Sequence, residues 1–62
     1  MNTVYSINGP VVKVRDTADF SMMEMVYVGA KHLMGEVISV NSEETTIQVY
    51  EVTTGLRPGE PL

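Results

Sequence analysis

"TTIQVYEVTTGLRPGEPL" (Thr45 to Leu62) carries the two signals that decide the fold. Its first half alternates: Ile47 and Val49 fall on one side of an extended chain, Gln48 and Tyr50 on the other, because successive strand residues point to opposite faces. Its second half is punctuated by Gly55, Pro58, Gly59 and Pro61. Pro58-Gly59 fits a type II turn, with proline pre-setting the first central residue and glycine taking the positive φ of the second. A turn of this kind leads into another strand, and here only Leu62 follows it. The expectation is therefore that residues 1–62 are the front part of a longer polypeptide. An open sheet would then leave unpaired edge groups to be covered by something else.

The same period of two runs through the preceding sequence. "TVYSI" (Thr3 to Ile7) is rich in β-branched and aromatic residues and is broken by "NGP" (Asn8 to Pro10), where Gly9 can supply a tight reversal. "VVKVR" (Val11 to Arg15) puts Val12 and Val14 on one face. "DTADFS" (Asp16 to Ser21) reads as a loop, and "MEMVYVG" (Met23 to Gly29) resumes the alternation, with Val26 and Val28 opposite Met25 and Tyr27. "LMGEVISV" (Leu33 to Val40) is a further strand, ended by the turn formers "NSEE" (Asn41 to Glu44). Gly35 within it predicts a bulge or a close backbone approach. Helical character is confined to "ADFSMMEM" (Ala18 to Met25), where Ser21 and Glu24 have capping-box spacing. About five short strands at intervals of roughly 8 to 12 residues predict a small antiparallel barrel or sandwich.

Composition narrows the function classes. A chain of 62 residues buries only about 60% of the surface it exposes when unfolded, so it leans on some additional stabiliser. There is no cysteine, and His32 is the only histidine, so disulfides are excluded and a zinc site is disfavoured. The formal charge is −4, and Lys13, Arg15, Lys31 and Arg57 form no basic run. Nucleic acid is thereby disfavoured as a partner, since phosphate binding needs a basic stripe. No apolar run approaches the roughly 20 residues of a membrane helix. The N-terminus lacks the charged-then-apolar pattern of a signal peptide, so the expectation is an intracellular chain.

No stretch offers catalytic chemistry. A phosphate loop needs a glycine directly before its lysine, whereas Lys13 follows Val12 and Lys31 follows Ala30. His32 reads as an exposed loop residue, since a triad would require both a nucleophile and an orienting carboxylate around it. Glu43 and Glu44 are adjacent in a turn and read as solvated. Met22, Met23 and Met25 read as core or interface filler. Tyr5, Tyr27 and Tyr50 could stack bases, but the acidic balance favours a protein contact.

"INGPVVKV" (Ile7 to Val14), "MEMVYVG", "LMGEVISV" and "TTIQVYEVTTGLRPGEPL" resemble, in that order, the start of the catalytic A subunit of V-type and A-type rotary ATPases. The most specific element is "IQVYEVTTGLRPGEP"; "GPVV" alone is shared with related subunits. Tyr27 departs from the pattern, standing where a basic residue is expected. The resemblance implies an all-β fold, a small antiparallel six-stranded β-barrel, here five strands plus the start of the sixth near Leu62. It implies that residues 1–62 are the N-terminal barrel domain of a longer subunit, with Mg-ATP bound in the parent and no cofactor in this part. It implies a structural role at the crown of the head, B subunits as partners in an alternating hexameric ring, and a cytoplasmic place peripheral to the membrane. The parent would couple ATP hydrolysis or synthesis to H+ or Na+ transport. Tyr27, Gln48 and Tyr50 are the candidate subunit contacts, with no catalytic or metal residue expected. A rival from another class is a free-standing SH3-like or OB-like module binding a peptide or ligand.

Overall fold

A computed structural model describes residues 3–15 and 20–62. The chain order is β1 (Ser6–Asn8), β2 (Val11–Val14), β3 (Met25–Val28), β4 (Leu33–Val40) and β5 (Thr45–Val49). They form one antiparallel sheet in the order β1-β2-β5-β4-β3. The all-β expectation is met. Each strand exists because its alternating β-branched residues have a common side to fill. Val12 and Val14 of β2, Val28 of β3, Val37 of β4, Ile47 and Val49 of β5, together with Val4, are at most 3% exposed. Leu33, Leu56 and Leu62 are among the half-buried side chains packed against them.

Strand limits are tighter than the sequence predicts, because backbone groups find other partners. Asn8 pairs with Val11 across the first hairpin, and Gly9 takes φ 60 in its turn. Thr3 to Tyr5 lie outside β1. The Tyr5 amide still donates to the Lys13 carbonyl at 2.8 Å. Val4 instead faces the C-terminal segment: its amide donates to Glu60 O at 2.9 Å and its carbonyl accepts from the Gly59 amide at 2.7 Å. β5 stops at Val49 rather than Val52. Beyond it the Tyr50 amide donates to Met34 O at 2.9 Å, and the Met34 amide donates to the Glu51 carboxylate at 2.8 Å.

Gly35 is a close approach rather than the bulge itself. A Cβ there would stand 2.9 Å from the Gln48 carbonyl oxygen. The register shift lies further on, between Val37 and Ser39. There Ile38 is an extra residue, pushed outward to 41% exposure. Two residues facing one let Val37 and Val40 both stay opposite β5.

Over its described residues the helical possibility resolves into one turn. Ala18 and its neighbours at 16–19 lie outside the described residues. The Glu24 amide donates to Ser21 O at 3.1 Å, and the Ser21 amide donates to the Glu24 carboxylate at 2.9 Å. The predicted Ser21–Glu24 pairing is thus realised, but Met23 at φ 65 cannot continue a right-handed helix. The Met23 amide donates to Val37 O, and the Val37 amide to Glu24 O, each at 2.8 Å, which docks the turn on β4.

The C-terminal segment meets both sheet edges. Gly59 takes φ 94 and the Glu60 amide donates to Arg57 O at 3.3 Å, as the Pro58-Gly59 turn requires. The segment bonds Val4 on one side; on the other, the Gly29 amide donates to Pro61 O at 2.8 Å. Thr3 and Pro61 make an antiparallel bridge. β1 and β3 are not paired along their lengths, so the sheet is curled but not closed.

Candidate interaction surface

The side of β3, β4 and β5 turned away from the core carries five of the exposed large hydrophobics, Met25, Tyr27, Met34, Ile38 and, just past β5, Tyr50. Register decides which of them meet. Met25, Glu36 and Gln48 lie in one row across the three strands, and Tyr27 and Met34 lie in the next. Tyr50 joins that second row through its backbone bond to Met34. Tyr27, Tyr50 and Met25 are each more than half exposed, Met34 and Ile38 somewhat less. Tyr27, Gln48 and Tyr50, the residues singled out in the sequence, therefore share one surface. Tyr27 also leans on His32, ring centroids 5.9 Å apart, and His32 is exposed in its turn at φ 55.

Glu36 is the member of this surface that the sequence did not single out. The Tyr50 hydroxyl donates to its carboxylate, and this bond pushes the Tyr50 pKa above its ordinary value of 10.0, with desolvation and the nearby negative charge adding to it. The signal is present in "LMGEVISV": Met34, Glu36 and Ile38 alternate with the inward residues. Only pairing across strands shows that Glu36 stands between Met25 and Gln48.

A second feature is a cleft of about 270 Å³ between the 29–33 turn and residues 52–56, walled by Val28, Leu33, Val52 and Leu56. Glu60 closes one end. Its carboxylate accepts from the Ala30 amide at 3.0 Å and from the Arg57 amide at 2.7 Å. Those two amide donors, in that order, hold its carboxyl below the ordinary 4.5, with the charges of Arg57 and Lys31 helping. The carboxylate is therefore occupied in binding the C-terminal turn to the 29–32 turn. Among the described residues no group of three or more His, Cys, Asp or Glu side chains converges to hold a metal. No described helix is long and apolar enough to cross a membrane.

Comparison with known proteins gives this curled sheet its class. Residues 4–62 match the β-barrel domain of the ATP synthase alpha/beta family, and the chain belongs to that family. Within it, the chain resembles the A and alpha subunits of the V- and A-types. It is 50% identical over 60 residues to the V-type ATP synthase alpha chain 2 of Clostridium tetani, covering 97% of this chain. It is 52% identical over 59 residues to the A subunit of the A-type ATP synthase of Haloferax volcanii. It is 48% identical over 59 residues to the catalytic A subunit of the V-type proton ATPase of Neurospora crassa. Each of the last two matches covers 95% of this chain. The chain spans 10% of the length of each of these relatives.

Proposed function

We propose that this barrel is a mechanical part of the catalytic A subunit of a rotary V/A-type ATPase. It holds neighbouring subunits in the crown of the head while ATP is hydrolysed or made elsewhere in the parent, coupled to H+ or Na+ movement. Its partners are B subunits alternating with A in a hexameric ring, at a cytoplasmic site peripheral to the membrane. Mg-ATP is bound by the parent outside residues 1–62. The observation that carries the reading is the outward apolar face of β3, β4 and β5 in a chain matched over residues 4–62 by the family's barrel domain; on this reading Tyr27, Gln48 and Tyr50 are the subunit contacts. Aromatic and methionine side chains are enriched at protein contacts, and a sheet curled on itself makes a stiff support.

The test uses the complete A subunit carrying Tyr27→Ser, Gln48→Ala and Tyr50→Ser together, mixed with B subunits and followed by native mass spectrometry. Loss of the alternating ring is expected; an intact ring overturns the assignment of this face. Titration calorimetry of the 62-residue chain with Mg-ATP is expected to give no saturable heat, and micromolar binding overturns the mechanical role. The cleft beside Glu60 favours one other reading, a free-standing ligand-binding module, which predicts no association with B subunits.

A further inference from the structure

From the surroundings of Glu36 we infer that the partner of the outward face brings a lysine or arginine side chain to this carboxylate; the inference rests on the reading of that face as a subunit contact. Glu36 stands at the centre of the face. Met25 and Gln48 flank it across the strands, Met34 and Ile38 precede and follow it on β4, and Tyr27 and Tyr50 lie diagonally. Five of these six neighbours are large hydrophobics exposed by 40% or more. The arrangement is one carboxylate set among five large hydrophobics and Gln48, the pattern in which a central polar contact is shielded from water once its surroundings are covered.

No described cation of this chain serves Glu36. Lys13 pairs with the Glu44 carboxylate at 3.1 Å. The Arg15 guanidinium donates to the Tyr5 hydroxyl at 2.7 Å and lies 4.0 Å from that ring's centre. Lys31 and Arg57 stand by Glu60. Among the described residues, then, the Glu36 carboxylate has the Tyr50 hydroxyl and no opposite charge. A hydroxyl donor orients a carboxylate but does not neutralise it. Covering these surroundings without supplying a cation would bury an unpaired charge at a large cost. A partner that fits must therefore bring the cation with it, aimed at the side of the carboxylate that Tyr50 leaves open. Tyr50 is a positioning residue here, fixing the carboxylate's rotation.

The experiment measures association of the complete A subunit with B subunits by sedimentation, at low and high salt, for the parent and for Glu36→Gln, Glu36→Lys, Tyr50→Phe and Tyr27→Ser. Loss of a hydrogen bond to a charged group weakens association by about 10- to 100-fold. Glu36→Gln is expected to fall in that range with a flatter salt dependence, Glu36→Lys to fall further, and Tyr50→Phe to lose only a few-fold. If Tyr27→Ser weakens association while Glu36→Gln leaves both affinity and salt dependence unchanged, the cation inference is overturned and the contact surface stands. If neither variant changes association, the surface is not the contact and both readings fall.

Discussion

Replacing Gly35 by alanine probes the tightest crossing in the sheet. The new Cβ would stand 2.9 Å from the Gln48 carbonyl oxygen, 2.9 Å from Ile47 Cγ2 and 3.3 Å from Val49 Cα, where ordinary contact begins at 3.4 Å. Two of those three atoms belong to the backbone of β5, which is clamped between β2 and β4 and cannot swing aside as a side chain would. Overpacking of this kind costs about 1–3 kcal/mol. Removing the glycine's extra freedom in the unfolded chain gives back about 0.5–1 kcal/mol. At mid-range the expected net loss is about 1–1.5 kcal/mol, and in so small a domain each kcal/mol moves the melting midpoint by about 4–8 °C. Scanning calorimetry should therefore show a fall of about 5–10 °C. Urea titration followed by circular dichroism should show a lower midpoint with an unchanged slope, which places the effect in the folded state. An unchanged or raised midpoint would mean that β4 and β5 can part to admit a methyl group, and the steric origin of Gly35 would be lost.

Met23 occupies the second central position of the Ser21–Glu24 turn at φ 65, a conformation that suits glycine. Met23→Gly is expected to stabilise the domain by about 0.5–1 kcal/mol, seen as a higher melting midpoint; a lower one would assign the thioether a packing role. Thr45 is fully buried and its Oγ1 has no hydrogen-bond partner among the described residues. Thr45→Val should therefore add about 1 kcal/mol, and destabilisation would show that the hydroxyl is bonded after all. Glu60 gives the acid response: its folded pKa lies below the ordinary 4.5, so its contribution is complete above that pH and is lost as pH falls through the folded value. Melting profiles taken from neutrality downwards should flatten in Glu60→Gln over that acid stretch, and profiles superimposable with the parent's would show that the carboxylate contributes nothing.

Residues whose partners follow from the period of two are legible in the sequence. Val12, Val14, Ile47 and Val49 declare the inward face by alternation alone, and Gly9 and Pro58-Gly59 declare their turns. Tyr27, Gln48 and Tyr50 are legible as outward residues for the same reason. Glu36 is not, because its meaning lies in the row Met25–Glu36–Gln48, and register is a property of three strands together. The bulge hides behind a more visible breaker: Gly35 advertises irregularity, yet the extra residue is Ile38, whose side chain gives no sign of it. Glu60 is hidden by distance, since its carboxylate bonds the amide of Ala30, 30 residues earlier. Met23 sits in a stretch with helical propensity, and propensity cannot anticipate a left-handed residue in a turn bonded to β4.

The bonds from Gly59, Glu60 and Pro61 to Val4 and Gly29 bear on how the domain is made at the ribosome. The first residues of the sheet wait for the segment around Glu60: Val4 finds its partners only after about fifty-five further residues have been translated. Until then the backbone at Val4 and Gly29, flanking β1 and β3, lacks these partners on a nascent chain, the state most exposed to sticking to another copy. Mutations in the Arg57–Pro61 turn should therefore lower the yield of folded protein during synthesis more than they lower its stability once made.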